Sequence, residues 1–419
     1  MAFHTGFRSI SRALAHPNYG IYTAGSAISL IGTWMQRVAV GWLAWQLTES
    51  GAWLGALAFA ELFPTVLIGP LAGAAADRWD RLKVMRVSQA FAMCQAALLF
   101  GFTVTGTITI ELLLALTLAL GVIVAVNQPT RLALIPSLVP VDDLPAAVAI
   151  NSVIFNVARF IGPLVAGLII VAGDLAMVFA VNTATYVIFL TALFRVHLAH
   201  ERRSGIAGAQ GLFDDVAAGV RYAARHGGIA PMLVLLIIVC LCARPFVELL
   251  PGFAEAVFAS GAGGLAVMTA TIGIGATVGG LWLAQRGAAP GLTPLTLGAA
   301  LVLAAALLLF VATDRMAVAI PALGVAGFCM VVSGVGTQTL LQLTVDGAMR
   351  GRVLSLYGLT FRGGPALGAL AMGGASEFVG LRWPLAVGAL IVAGVWAWLW
   401  LRRRRIGALL EQPESAEPG

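Results

Sequence analysis

Charge is what this chain has least of. Only 11% of its 419 residues are Asp, Glu, Lys or Arg, against about 25% in an ordinary soluble domain. Hydrophobic residues make up 60%, and the mean hydropathy is +0.94. So much apolar surface cannot be hidden in one water-soluble core, and the surplus must face lipid. Cysteine is scarce as well. Cys94, Cys240, Cys242 and Cys329 fall in apolar runs, at spacings that fit neither a zinc site nor a disulfide framework, and read as small packing residues. The five histidines (His4, His16, His197, His200 and His226) lie in loops or near membrane edges. There is no G-x-x-x-x-G-K-[S/T] loop and no H-E-x-x-H pair, so ATP hydrolysis and zinc proteolysis are excluded. No enzyme activity, cofactor or metal site is expected. The chain is basic, with 25 Lys and Arg against 19 Asp and Glu. No basic patch interleaved with aromatics marks a nucleic-acid surface.

What the chain has is long apolar runs. About 20 apolar residues cross a bilayer as a helix, and such runs fill 19–47, 52–76, 84–106, 109–135, 145–171 and 175–197. Six more fill 229–254, 262–284, 292–312, 316–343, 353–376 and 383–401. Alternate loops divide the charge unequally. One side, with both termini, holds Arg8, Arg12, Arg78, Arg81, Lys83, Arg86, Arg131, Arg195, Arg202, Arg203, Arg221, Arg225, Arg286, Arg350, Arg352 and Arg402 to Arg405; the other holds only Arg315 and Arg382. This asymmetry supports an even count and puts both termini in the cytoplasm of a bacterial-type inner membrane. Residues 1–18 show no apolar core followed by a cleavage site, so no signal peptide is expected.

The expected organisation is an N-terminal six-helix bundle (1–197), a cytoplasmic linker (198–228), a C-terminal six-helix bundle (229–401) and a disordered tail (402–419). In the linker, Leu212, Phe213, Val216, Val220 and Ala223 share one helical face, which predicts an amphipathic helix along the inner membrane surface. The halves look duplicated: Arg37 and Arg244 share the offset of Gly73 and Gly280, and Arg159-Phe-Ile-Gly-Pro163 has an echo in Arg362-Gly-Gly-Pro365. A repeat of six spans points to two bundles related by pseudo-two-fold symmetry, as in secondary transporters.

Between the second and third runs stands Gly73-Ala-Ala-Ala-Asp77-Arg78-Trp79-Asp80-Arg81-Leu82-Lys83. Asp77 falls at a helix C-terminus, where the dipole disfavours an anion. It therefore needs a partner, and the start of the eleventh span, at Arg350 and Arg352, is the expected clasp. The alternative is an ordinary positive loop, which leaves Gly73 and Asp77 unexplained. This segment resembles the loop motif G-x-x-x-D-R-x-G-R-R/K of the major facilitator superfamily through Gly73, Asp77, Arg78 and Arg81, with Lys83 close to the pattern; Asp80 replaces the second glycine. Gly162-Pro163-Leu-Val-Ala-Gly167 resembles the superfamily's antiporter motif. Further segments are Ile31-Gly-Thr-Trp34-Met-Gln36, Pro129-Thr-Arg-Leu-Ala-Leu-Ile-Pro136, Glu248-Leu-Leu-Pro251 and Arg350-Gly-Arg352-Val-Leu-Ser355. Together they are similar to the superfamily's enterobactin-exporter-like branch of siderophore and drug exporters, over about residues 10–400. The resemblance implies an all-α integral membrane protein of twelve helices that works as a monomer on a small molecule. It also implies proton-driven antiport, with substrate near the midplane and alternating access by rocking.

Ionised groups inside a bilayer are costly and mark function by default. Arg37, Glu61, Arg159, Arg244, Glu248 and Arg362 fall within runs. Arg37 and Glu61 stand at similar depth in antiparallel neighbours, and Arg244 and Glu248 are four apart, a helical pairing distance. Each pair is either a neutralised structural bridge or a coupling device in which Glu61 or Glu248 exchanges its arginine for a proton. The excess of cations suits an anionic or acceptor-rich substrate. Asn127, Gln128, Asn151, Asn156 and Gln338 are candidates for the cavity or for interhelical hydrogen bonds, and Trp34 and Phe246 for stacking surfaces. The leading expectation is proton-coupled export. A proton-coupled importer shares every topological feature, and a receptor or scramblase on the same scaffold is the third alternative.

Overall fold

The computed structural model describes residues 2–76, 79–198, 212–287 and 290–411, with no strand among them. An N-terminal helix, α1 (Ala2–Ala15), precedes six long ones: α2 (Pro17–Thr48), α3 (Gly51–Ala76), α4 (Arg81–Val104), α5 (Ile110–Leu134), α6 (Leu144–Val171) and α7 (Leu175–Arg195). The short α8 (Leu212–Arg225) leads to α9 (Ile229–Cys242), α10 (Phe246–Gly252) and a π-helical turn at Phe253–Val257, which together make one broken span. The rest are α11 (Gly261–Arg286), α12 (Leu292–Ala312), α13 (Met316–Thr344), α14 (Gly347–Val379), α15 (Arg382–Leu401) and α16 (Arg403–Glu411). In hydrocarbon each peptide group must be hydrogen-bonded within its own segment, and helices alone meet that demand here. Ten segments are long and apolar enough to cross a membrane. The 32-residue α2 and the 33-residue α14 are long enough but carry more polar residues, so twelve long segments result.

Helix starts are capped where the sequence provides a donor's partner. Asp80 Oδ1 accepts from Lys83 N at 2.8 Å, Thr109 Oγ1 from Leu112 N at 3.3 Å and Asp174 Oδ1 from Met177 N at 2.8 Å. The residue that departs from the superfamily's loop pattern, Asp80, is therefore the N-cap of α4. Arg81 and Arg86 cap the opposite kind of end. Arg81 Nη1 donates to Ala133 O in the last turn of α5, and Arg86 donates to Leu193 O and Val196 O at the end of α7. Cations there complement the dipole.

The chain groups into two compact units. The first holds Met1–Glu49, Ala60–Ala209 and Gly261–Ala270; the second holds Ser50–Phe59, Gln210–Ser260 and Thr271–Gly419. The expected division at the linker thus differs at two places, since α3 and α11 each contribute to both units. In the first unit α2 packs on α6 and α7, and α4 on α5 and α7. Tyr19, Met85, Leu134 and Leu193 lie in one buried cluster there. Beside it the buried Asp143 carboxylate accepts from Arg12 Nε at 2.6 Å and pairs with His16 Nε2 at 2.8 Å, which ties α1 to the start of α6. In the second unit α12 packs on α13 and α15, and α9 on α14 and α15. The first turn of α3 belongs to this unit through Glu377, whose Oε1 accepts from Ser50 Oγ at 2.8 Å and Ala52 N at 3.0 Å. A carboxylate from α14 thus satisfies the free N–H end of α3.

Two expectations need correction. Residues 403–411, expected in a disordered tail, form α16. Its Ile406 and Leu410 are 2% exposed, and Glu411 accepts from Gly291 N at 2.5 Å and Thr293 N at 2.6 Å, capping α12. Two apolar side chains and one acceptor placed four to five residues apart are enough to hold this helix, although the segment's average is polar. The linker helix α8 does form, but it docks on the start of α14 rather than only lying on lipid. Gly219 sits against the Arg352 backbone, Ala223 is 3% exposed and Tyr222 Oη donates to Asp346 Oδ2 at 2.9 Å. Val220, assigned to the apolar face, is half exposed. Residues 199–211 of the linker and 412–419 of the tail lie outside the described residues.

Removing the α12 cap tests this corner. Glu411→Ala is expected to cost about 0.5–2 kcal/mol, and to lower the midpoint of thermal unfolding in detergent by about 1–4 °C.

Candidate functional site

Three helices of the first unit bring charge and an aromatic ring together inside the membrane. Trp34 and Arg37 are three residues apart on α2, and hence on one face; α3 supplies Glu61 and α6 supplies Arg159. Arg37 Nη1 lies 3.4 Å from Glu61 Oε1, with side-chain exposures of 25% and 24%. Trp34 is flanked by two guanidiniums, with Arg37 Cζ 5.5 Å and Arg159 Cζ 5.7 Å from its ring centroid. Phe155 meets the same indole edge-on at 5.9 Å. The indole face is electron-rich and attracts both cations, a contact worth up to about 2 kcal/mol where water is excluded. All three charged side chains are half-buried.

Gly162 of the antiporter-like motif fixes this arrangement. A Cβ there would lie 2.5 Å from Trp34 Cβ and 2.9 Å from Ile31 O. The motif's glycine is what lets α6 touch α2 at the level of Trp34. Gly167, one and a half turns on, faces Ala266 in the same unit.

Behind the cluster runs a ladder of buried amides that sequence inspection did not single out. Asn182 Nδ2 donates to Gln36 Oε1 at 2.7 Å, Gln36 Nε2 to Gln95 Oε1 at 3.0 Å, and Gln95 Nε2 to Leu116 O at 3.1 Å. It crosses α7, α2, α4 and α5, and its three side chains are at most 4% exposed. The available signal was an amide at the centre of each of three apolar runs, adjacent in one case to Arg37. Arg131 was also overlooked, being counted as a loop cation. It sits in the last turn of α5, donating to Ser26 Oγ at 2.6 Å and Asn151 Oδ1 at 3.4 Å.

Most other candidate polar residues are structural in their contacts. Asn127 Nδ2 donates to Ser88 Oγ at 2.8 Å, joining α5 to α4, and Asn156 Nδ2 donates to Ser152 O of its own helix. Asn151 is held by Arg131, while Gln128 and Gln338 are half-buried on α5 and α13. Of the loop motif, Asp77 and Arg78 lie outside the described residues, and so does their expected clasp with Arg350 and Arg352. Gly73 belongs to α3. Lys83 is exposed, Arg350 Nη2 donates to Val345 O at 3.5 Å and Arg352 Nη1 to Met349 Sδ at 3.4 Å.

The second unit departs from expectation. Arg244 and Glu248 do not share a helical face, because α9 ends at Cys242 and the chain turns through Ala243–Pro245 before α10. Pro245 has no N–H to continue the helix. Arg244 instead lies over Phe361 of α14, Cζ 3.8 Å from the ring centroid, and Phe361 stacks on Tyr357 at 5.5 Å. Tyr357 Oη donates to Gly334 O at 3.1 Å. Phe246, expected as a stacking surface, is fully buried; Phe361, Arg362 and Glu248 of the same unit are each half-buried.

Two alanine substitutions separate close packing from helix propensity. Gly162→Ala should cost about 1–3 kcal/mol by driving α6 off Trp34. Gly101→Ala, in α4 with nothing within 4 Å, should instead stabilise by about 0.5–1 kcal/mol. Thermal midpoints moving in opposite directions are the expected result.

Residues 12–416 match a family described as transmembrane secretion effectors. The staphyloferrin A transporter of Staphylococcus aureus (strain NCTC 8325 / PS 47) is 27% identical over 177 residues, 42% of this chain and 45% of that protein. An uncharacterized MFS-type transporter, YfiS, of Bacillus subtilis (strain 168) is 27% identical over 175 residues, 41% and 40% of the two chains. The chain thus spans less than half the length of these relatives. Among solved structures, a bacterial homologue of the human lysosomal transporter Spinster superposes with a TM-score of 0.73 at 14% identity, covering 95% of this chain and 100% of that one. A D-xylose–proton symporter gives 0.65 at 17%, covering 92% and 97%. At such identities the likeness is one of fold alone. The chain belongs to the transmembrane secretion effector family of the major facilitator superfamily, and is a multi-pass membrane protein.

Proposed function

We propose that this chain is a proton-coupled antiporter that exports a small amphiphilic or anionic metabolite or drug, siderophore-like in being aromatic and rich in acceptors. The observation that carries this reading is the Trp34–Arg37–Glu61–Arg159 cluster. An aromatic face of the substrate stacks on Trp34, an anionic or acceptor group meets Arg159, and a hydroxyl donates to the ionised Glu61. Protonation of Glu61 turns one carboxylate oxygen into a donor, weakens the other as an acceptor and loosens the hold on Arg37. Proton and substrate then displace one another, which is the linkage an antiporter needs. The staphyloferrin A transporter among the relatives supports a siderophore-like cargo, and the motif around Gly162 supports antiport. The sorting of Lys and Arg supports a bacterial-type inner membrane with both termini cytoplasmic, and the chain acts as a monomer.

One observation favours a second reading. Glu61 already has Arg37 as its partner at 3.4 Å. A substrate carboxylate that captures Arg37 would free Glu61 to take a proton, so that the two ligands bind together. That sign of coupling belongs to a proton-coupled importer.

Export is tested in a host lacking its own efflux pumps, loaded with a fluorescent amphiphilic or catechol-bearing probe. The wild-type chain should extrude it, and an uncoupler that collapses the proton gradient should stop extrusion. Glu61→Gln, a mimic of the protonated side chain, should lower gradient-driven export at least about tenfold and bind the probe more weakly than the ionised wild type, with an affinity that no longer changes with pH. Glu248→Gln asks the same of the second unit. Extrusion that survives the uncoupler rules out proton coupling, and proton-driven accumulation reverses the direction.

A further inference from the structure

The corner where α8 turns into α9, in the second unit, carries a cationic hollow apart from the Trp34 cluster. A cavity of 360 Å³ is lined by Ala218, Arg221, Tyr222, Arg225 and His226. Arg221 and Arg225 are one helical turn apart and exposed, and neither guanidinium has a hydrogen-bond or ion-pair partner among the described residues. His226 Nδ1 accepts from Gly228 N and Ile229 N, both at 3.2 Å. Its ring proton therefore sits on Nε2, which leaves one N–H to donate. The ring also caps α9, whose N-terminal dipole adds to the positive potential.

We infer that this corner binds a phosphate group, presented by an anionic lipid headgroup or as a free phosphate anion. Two guanidiniums at this spacing offer paired N–H forks, which fit phosphate oxygens better than point charges do. The hollow is preorganised rather than a loose pair of surface cations. α8 is pinned by Gly219 against Arg352, by the buried Ala223 and by the Tyr222 hydroxyl on Asp346, while Leu409 and Leu410 of α16 pack on Gly227 and Gly228. Among the described residues the carboxylate bonded to this lining is that of Asp346, which Tyr222 engages. Given cytoplasmic termini, the hollow stands where α9 enters the membrane, at the depth of inner-leaflet headgroups, where basic amphipathic helices meet anionic lipid.

The test is native mass spectrometry of the purified full-length chain, titrated separately with phosphatidylglycerol and with inorganic phosphate. Wild type is compared with the double variant Arg221→Gln, Arg225→Gln. Both side chains are exposed and have no partner among the described residues, so the variant should keep the wild-type thermal midpoint. The expected result is at least about tenfold weaker retention of one probe by the variant, as loss of two charge-assisted contacts implies. Either probe bound by wild type and lost in the variant supports the site, phosphatidylglycerol marking a lipid source and phosphate a soluble one. Equal binding by wild type and variant, or no binding of either probe, overturns it. Neither outcome bears on export, because these residues lie outside the Trp34 cluster.

Discussion

A peptide group inside a bilayer has no water to bond to, and every feature of this chain follows from that constraint. Its spans are helices because helices alone satisfy their own backbones. With no hydrophobic drive between helices in lipid, association depends on close packing of small residues and on hydrogen bonds between spans. Gly162 against Trp34 is an instance of the first, and the Asn182–Gln36–Gln95 ladder of the second. Where the chain departs from helix, as at Ala243–Pro245, neighbouring glycines let α14 lie against the broken backbone; Gly368 faces both Leu241 O and Pro245.

The same constraint gives the charged cluster its meaning. A guanidinium that stood alone in hydrocarbon would be expelled, yet Arg37 and Arg159 are kept half-buried by one carboxylate and one indole shared between them. In the proposed mechanism an anionic or donor-bearing ligand replaces part of this pairing. The amide ladder and the Gly162 contact fix the positions of α2 and α6, so the cluster has little freedom to collapse on itself. In the second unit the corresponding arginine, Arg244, is spent on Phe361. The duplicated halves thus carry different chemistry at matching positions.

Much of the fold was legible because membrane insertion writes it in one dimension. Apolar runs gave the spans, and alternating loop charge gave their parity. The approach of Arg37 to Glu61 follows from equal depth in adjacent antiparallel helices, which needs only helix order. What stayed hidden depends on three-dimensional contacts or on local backbone. The spacing of Arg244 and Glu248 fits a helix, but Pro245 stops α9 between them. Residues 403–411 look too charged to fold, but Ile406, Leu410 and Glu411 each find one specific partner surface. Asp143, Glu377 and Arg131 stand at run edges, where a charge looks solvated, and their partners come from distant segments. Gln36, Gln95 and Asn182 are ordinary amides until three helices bring them into line.

The central claim is that Glu61 binds either a proton or the substrate, but not both. Addition of a transported probe to the purified protein in weakly buffered detergent solution, with a pH indicator present, measures it directly. The account predicts that binding releases protons in the wild-type chain, and that Glu61→Gln binds the probe without release. Proton uptake on binding, or release that persists in Glu61→Gln, would contradict it.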